Sequence, residues 1–515
     1  MSSTAPHGAL TTTDDVGGAA PYAKRWAAAI VMILAALLDM IDGSIVNTAL
    51  PSIGKGLSAT PAQLEWTVSA YMLGFAAALI IAGHLGDRFG RRKLFLAGVA
   101  LFALASLAGA VAADPGQLIA ARAVQGVSAA VLLPQVLGSF RVMFDGAERG
   151  RVFAVYGAIA GVAVAVGVLL GGVLTDWNLF GWGWRTVFAV NLPLAAVVLV
   201  LGARWIPEDR RRGRDRIDVG RGRFDVDGGR GRIDVDGGRI DADGGRIDVL
   251  GNLFLAAALV AIVLPLVEGR ANGWPLWGWL CLAAGLAALL GLVGWESVRG
   301  VEHPLLPVGL FAEPAFSAGL LIQLLFYGGM SGFMMVFTIW LQSGQGYTPT
   351  QAGVLMVAFS AGAFLSAPMA DGMIARFGRT VLVLGALLMV GGFWWLHHAT
   401  GTAAAFHTGA WPLVPGLVVA GIGLGFLVVP LVNVVLTAVP ADLAGGASGI
   451  FSTAQQFGGA LGVAVIGNVF FSHADGGLRQ AITHAGPWAV GAYALCAVLC
   501  LALPRRNLTA HPETH

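Results

Sequence analysis

The sequence predicts an all-α membrane protein with fourteen spanning helices in a six, two, six arrangement. Three observations predict it. Of 515 residues, 57% are hydrophobic and only 12% charged, about half the charged share of an ordinary soluble domain. Apolar stretches of about 20 residues, the length a bilayer requires, recur along most of the chain. One short motif, Arg-Phe-Gly-Arg, occurs at Arg88 and again at Arg376, each time after the second apolar stretch of a set of six.

Taken in order, the predicted spans are 26–49, 66–86, 94–113, 117–140, 152–174 and 186–205, then 250–267 and 275–296, then 315–341, 350–371, 380–397, 411–438, 447–471 and 487–504. The first is too long for a signal-peptide core and lacks a small-residue cleavage site, so it reads as a retained span. The corresponding units are a polar tail (1–25), an N-terminal bundle (26–205), a disordered low-complexity linker (206–247), two central helices (248–296), a connection (297–314), a C-terminal bundle (315–504) and a second tail (505–515). Cationic residues orient the chain. With residue 1 inside, inner segments hold 26 of the 31 Lys and Arg, whereas the outer loops hold Lys55, Arg185, Arg270 and Arg479. Both termini are therefore expected in the cytoplasm. Abundant Ala, Gly and Arg with three Lys fit a GC-rich bacterial genome, and so a bacterial inner membrane.

The duplicated loops also carry a family likeness. GHLGDRFGRRK, Gly83 to Lys93, resembles the cytoplasmic signature of the major facilitator superfamily. DGSIVNTALP (Asp42 to Pro51), RAVQGVSAAVLLP (Arg122 to Pro134) and WRTVFAVNLP (Trp184 to Pro193) resemble motifs of its fourteen-helix drug:proton antiporters. EHPLL (Glu302 to Leu306) and the stretch Gly445 to Phe471 fit their C-terminal half. The likeness spans roughly residues 25 to 505. It implies the major facilitator fold with halves related by a pseudo-twofold axis. It implies export of hydrophobic or cationic drugs, antibiotics or a metabolite, driven by protons through alternating access.

Charges inside a bilayer are costly and are functional by default. Three lie deep here: Asp39, Asp42 and Arg122. Counting from the outer span ends at ~1.5 Å per residue puts Asp42 about 9 Å deep, Arg122 about 8 Å and Asp39 about 14 Å. Asp42 and Arg122 are thus expected to approach one another, with Gln125 on the same face as Arg122. One Arg cannot neutralise two carboxylates equally. One Asp should stay ionised beside it while the other exchanges a proton; the likeness names Asp42 as the motif acid and Arg122 as the coupling Arg.

Gly83, Asp87, Arg88, Gly90, Arg91 and Arg92 form the expected cytoplasmic gate, Gly90 permitting the tight turn and Asp87 accepting from Arg or from a helix N-terminus of the other half. The second copy has Ala375 in place of Asp87, so its latch should be weaker. Gly157, Gly161, Gly167, Gly171 and Gly172 in the fifth span are expected to let helices pack closely. In the family a Pro precedes the paired Gly there; here the position is Val168. Asn47, Tyr71, Gln323, Tyr327, Asn433 and Gln455 are candidate cavity-lining residues, each equally suited to joining helices.

Other classes fit less well. A net charge of +2 argues against a nucleic-acid partner. No GxxxxGK[ST] loop is present, so ATP is not the expected energy source. Neither a catalytic Cys/His set nor a metal cluster appears. Cys281, Cys496 and Cys500 lie in apolar stretches, and the His397–His398 pair reads as an interfacial cap. No cofactor is expected. The expected partners are protons, lipid and a lipophilic, cation-compatible small molecule, acting on a monomer. A facilitator or importer on the same fold is the alternative within the class. A receptor signalling through the linker is the alternative outside it.

That linker repeats Arg-(Ile or Phe)-Asp at Arg216, Arg223, Arg232, Arg239 and Arg246. Its mostly seven-residue period is not that of calcium-binding nonapeptides, and an EF-hand's twelfth-position Glu is missing. From Glu208 to Asp248 its 11 acidic and 11 basic residues balance, with little to bury. Only the last unit, Arg246 to Gly251, should be ordered, because it leads into the seventh span. Deleting residues 216–245 should therefore leave export within about twofold of wild type; a receptor acting through the linker would instead lose its activity.

Overall fold

The computed structural model describes residues 22, 24–208, 249–270, 272–299, 308–401, 409–437, 439 and 443–503. Fourteen helices among them are long and apolar enough to cross a membrane. They are α1 (Arg25–Leu57), α2 (Pro61–Phe89), α3 (Arg91–Ala110), α4 (Pro115–Met143), α5 (Gly146–Trp177) and α6 (Asn191–Trp205, preceded by the single turn Thr186–Ala189). The central pair is α7 (Val249–Glu268) and α8 (Leu276–Arg299). The last six are α9 (Pro314–Ile339), α10 (Pro349–Phe377), α11 (Thr380–Gly401), α12 (Val414–Thr437), α13 (Ala444–Ser472) and α14 (Leu478–Cys500). Most of the linker and both tails lie outside the described residues, and of its last repeat unit only Val249 to Gly251 falls within a described helix.

The duplication reaches beyond the Arg-Phe-Gly-Arg loops. Helix α2 opens on Thr60, whose hydroxyl accepts from the Gln63 amide while the Gln63 side chain accepts from the Thr60 amide. Helix α10 opens on Thr348 and Gln351 with the same reciprocal bonds, and a Pro occupies the first helical position of each. This capping box satisfies amides that a helix start would leave bare. Both helices run 29 residues and stop at a glycine with positive φ, Gly90 at 93° and Gly378 at 55°. A side chain is strained there, so the turn needs glycine.

Packing repeats as well. In the first half α1 packs on α5 and α6, α2 on α4, and α3 on α4 and α6. In the second, α9 packs on α13 and α14, α10 on α12, and α11 on α12 and α14. The pairs correspond one to one, as two halves related by a pseudo-twofold axis require. Across the halves, α2 meets α13 and α5 meets α10. Helix α7 lies over the α2–α13 seam and touches both, with α8 against its outer side. The two extra helices therefore cover a joint rather than extend either bundle.

Among the described residues, the hydrogen bonds across the seam lie at one end. At the end holding the α1–α2 loop, the Thr350 amide of α10 donates to Asp176 of α5 at 2.8 Å. Gln342, just after α9, donates to the Thr48 carbonyl of α1 at 2.8 Å. Gly172 abuts the backbone of Pro349 and Thr350. At the opposite end, a Cβ built on Gly83, Gly372 or Gly449 would meet no described atom within 4 Å. The printed contacts that join the halves thus gather at the first end.

Several boundaries differ from the sequence reading. Helix α14 begins at Leu478, nine residues before the predicted 487, and Pro487 lies inside it. Helix α2 begins at Pro61 and α5 at Gly146, because polar first turns were trimmed when spans were judged by hydropathy. Gly157 does not pack a helix: it is exposed, and a Cβ there would meet nothing within 4 Å. Gly167 and Gly171 lie against the α1 backbone at Ile41 and Ile45, whereas the surroundings of Gly161 lie outside the described residues. The closest approach joins α9 to α13, where a Cβ on Gly462 would fall 1.9 Å from the Gly328 carbonyl oxygen. Gly462→Val should destabilise the protein by at least about 1–3 kcal/mol, read as a lower melting temperature in detergent, while Gly391→Ala, with open space beside it, should melt as wild type.

Candidate functional site

Five helices bring polar side chains to one buried point in the N-terminal half. Asp42 of α1 and Arg122 of α4 form an ion pair with relative exposures of 0% and 2%. The Asp42 carboxylate also accepts from Gln125 Nε2 of α4 at 3.1 Å and from Asn191 Nδ2 of α6 at 2.8 Å. Those two amides meet the Ser106 hydroxyl of α3 at 2.8 and 3.3 Å. Arg122 is held in turn by the Gln125 side-chain oxygen at 3.0 Å and by the Thr67 carbonyl of α2 at 3.2 Å, and its guanidinium lies 4.3 Å over the Tyr71 ring.

Helix geometry explains the arrangement. Arg122 and Gln125 are three residues apart, so both project from one face of α4. Asn191 reaches the carboxylate because α6 starts there, at the depth of Asp42. Such a network costs least when every member is satisfied, and here Asp42 receives three donors. The sequence reading missed Asn191 and Ser106. Asn191 sits in the quoted stretch Trp184 to Pro193, where an amide directly before Leu-Pro was a usable signal; Ser106 lies in an apolar helix with nothing to mark it.

Asp39 stands apart from this network. It is three residues before Asp42, half-buried, and accepts a hydrogen bond from the Tyr71 hydroxyl. Tyr71 thus touches both acidic positions, bonding one carboxyl through its hydroxyl and covering the Arg122 partner of the other with its ring.

The remaining candidates fall elsewhere. Asn47 bonds the Gly43 carbonyl of its own helix at 3.4 Å. Gln323 donates to Gln455 at 3.2 Å and ties α9 to α13. Tyr327 packs edge-on against Phe326, and Asn433 is exposed. In the gate loop, Arg88 is exposed over its neighbour Phe89. Arg91 donates to the Gly138 carbonyl of α4 at 2.8 Å, and Arg92 pairs with Glu208 at 2.8 Å. These two partners belong to the N-terminal half. The Asp87 side chain lies outside the described residues. The His397 ring lies 5.8 Å from that of Trp394 at a tilt of 50°, His398 is exposed, and no metal-ligating group of three is present among the described residues. A cavity of about 440 Å³ opens in the other half between α9, α13 and α14, lined by apolar residues such as Leu325, Leu461 and Trp488. It contains none of the charged candidates.

The family model for the Major Facilitator Superfamily matches residues 32–463 and 319–513. The chain belongs to the major facilitator superfamily. It is therefore a multi-pass membrane transporter rather than an enzyme. A probable actinorhodin transporter of Streptomyces coelicolor is 34% identical, covering 91% of this chain and 77% of that protein. The puromycin resistance protein pur8 of Streptomyces alboniger is 34% identical over 96% of this chain and 94% of its own length. The cephamycin export protein CmcT of Amycolatopsis lactamdurans is 33% identical, over 90% and 89%. Among solved structures, the nucleoside transporter NupG aligns with a TM-score of 0.61 at 13% identity, over 93% of this chain and 99% of NupG. The inward-open xylose transporter XylE from E. coli aligns at 0.57 and 16%, over 92% and 95%. At such identity these two attest the fold alone.

Removing one member of a buried pair strands the other, at a cost of about 3–5 kcal/mol. Arg122→Met should therefore melt far below wild type, and adding Asp42→Asn to it should restore part of the loss. A double variant no more stable than the single one would mean that Asp42 is not the group left stranded.

Proposed function

We propose that this protein is a proton-coupled exporter of lipophilic, cation-compatible antibiotics or related small molecules, working by alternating access. The observation that carries this reading is the pair of carboxyls on one face of α1 with unequal surroundings. Asp42 has three donors, one of them an Arg, and serves as the fixed negative partner that holds Arg122. Asp39 has one described neighbouring hydroxyl and partial exposure; it is the carboxyl that takes up and releases the proton. The named relatives, which export antibiotics or confer resistance to them, support the substrate class.

Orientation follows from the cation count. The end with Arg88, Arg91, Arg92 and Lys93 faces the cytoplasm together with both termini, and the joined end faces outward. The described conformation then corresponds to a state closed to the outside. Proton binding at Asp39 lowers the cost of carrying the site through the closed intermediate. Release of the proton on the cytoplasmic side resets it. The facilitator reading rests on Val168, where the family carries Pro.

Everted vesicles decide between these readings. With an imposed proton gradient, wild type should accumulate ethidium or another lipophilic cation in the vesicle lumen, and collapsing the gradient should stop it. Asp39→Asn should lower driven accumulation at least tenfold while retaining counterflow exchange; Asp42→Asn should lose both. Transport indifferent to the gradient in wild type would establish a facilitator instead.

A further inference from the structure

At the joined end of the seam, α2 carries a second deeply buried acid, Glu65. Its relative exposure is 0%, and neither carboxyl oxygen has a hydrogen-bond partner among the described residues. It faces the other half of the protein: a Cβ on Gly467 of α13 would lie 3.0 Å from the Glu65 carboxyl carbon and from the Met335 methyl of α9. The slot across the seam exists because residue 467 has no side chain.

The turn between α7 and α8 closes the slot. Glu268 Oε1 accepts from the Trp66 indole, the residue next to Glu65, at 2.9 Å. Two residues on, the Arg270 guanidinium lies 5.1 Å from the ring centroid of Phe471 on α13. One turn thus grips both sides of the seam, and Glu268 and Arg270 are the charged groups acting on Glu65. From α13 and α9 it meets Gly467 and the Met335 thioether, neither of which titrates.

We propose that Glu65 is a proton-binding site of the outer gate, distinct from the Asp39–Asp42–Arg122 cluster: neutral while the gate is shut, ionised and paired with Arg270 when it opens. The chemistry is that of a carboxyl in an apolar joint. Ionised and without donors, it costs several kcal/mol to bury, so the group takes a proton instead. Parting of α2 and α13 exposes it to water and frees Arg270 to swing from the Phe471 face to the carboxylate. The proton leaves to the outer medium and returns before closure, with no other reactant. The α7–α8 pair thereby contributes the counter-charge of the gate. The direction of proton release rests on the orientation proposed above; the existence of the site does not.

The test measures gate opening against pH. Spin labels at Ala113→Cys and Gln480→Cys, both exposed at the joined end in opposite halves, report the separation of the halves in the full-length protein with Cys281→Ala. In the otherwise wild-type protein the long-distance population should rise with pH, by up to about tenfold per unit, the limit for one linked proton. Glu65→Gln should keep the short distance at every pH. Arg270→Gln should shift the opening midpoint to higher pH, since ionisation loses its positive partner; this second variant tests the site even if Glu65→Gln fails to assemble. Wild-type pH dependence in Glu65→Gln, or an unshifted midpoint in Arg270→Gln, would overturn the inference. Asp39→Asn should retain the pH response. If that response vanished there and persisted in Glu65→Gln, the proton would belong to the central cluster, and the transport reading would stand without the gate site.

Discussion

The buried pair of Asp42 and Arg122 is the interaction on which the rest of the N-terminal half depends. Two charges in a low-dielectric bundle are unfavourable singly and tolerable together only when their remaining hydrogen-bonding capacity is met. Meeting it draws in Gln125, Ser106, Asn191 and the Thr67 carbonyl, and so fixes α1, α2, α3, α4 and α6 against one another. Packing alone is weakly directional among helices rich in Ala, Gly and Leu; this network supplies the register. It also commits Arg122 to Asp42, while Asp39 bonds the Tyr71 hydroxyl.

The second constraint is the seam. Two pseudo-symmetric bundles meet through α2–α13 and α5–α10, and both contacts are shut by small residues: Gly467 against Glu65, and Gly172 against the α10 start at Pro349. Close approach gives a tight closure without large interlocking side chains. Such a joint can part and re-form with little repacking, which suits a rocking mechanism. Helices α7 and α8, added between the halves in the chain, lie across one of these joints rather than beside the transport path.

Much of this was legible in the sequence, and the failures have physical causes. Fourteen spans followed from hydropathy, and the duplication from Arg88 and Arg376. The meeting of Asp42 with Arg122 followed from counting residues down from the helix ends. Glu65 was missed because hydropathy trims polar first turns: the span was begun at 66, one residue too late, although Thr60, Pro61 and Gln63 spell a helix start. Glu268 was lost from the other end of α7, where a hydropathy boundary stops short of a terminal charge. Gly157 was misread because spacing does not say which face a glycine presents. Which end of the seam is shut is a property of the conformation, so neither the exposure of Arg88 nor the burial of Glu65 could have been read from residue order.

The proposed mechanism divides labour on α1: Asp42 holds Arg122 and Asp39 carries the proton. Infrared difference spectra of the purified protein across a pH titration test it most directly, recorded with Glu65→Gln present to remove the gate carboxyl. The expected spectrum has one protonated-carboxyl band that titrates, abolished by Asp39→Asn and preserved when Asn191→Ala removes one of the Asp42 donors. A titrating band that survives Asp39→Asn and disappears in Asp42→Asn would contradict it and make the paired carboxylate the proton carrier.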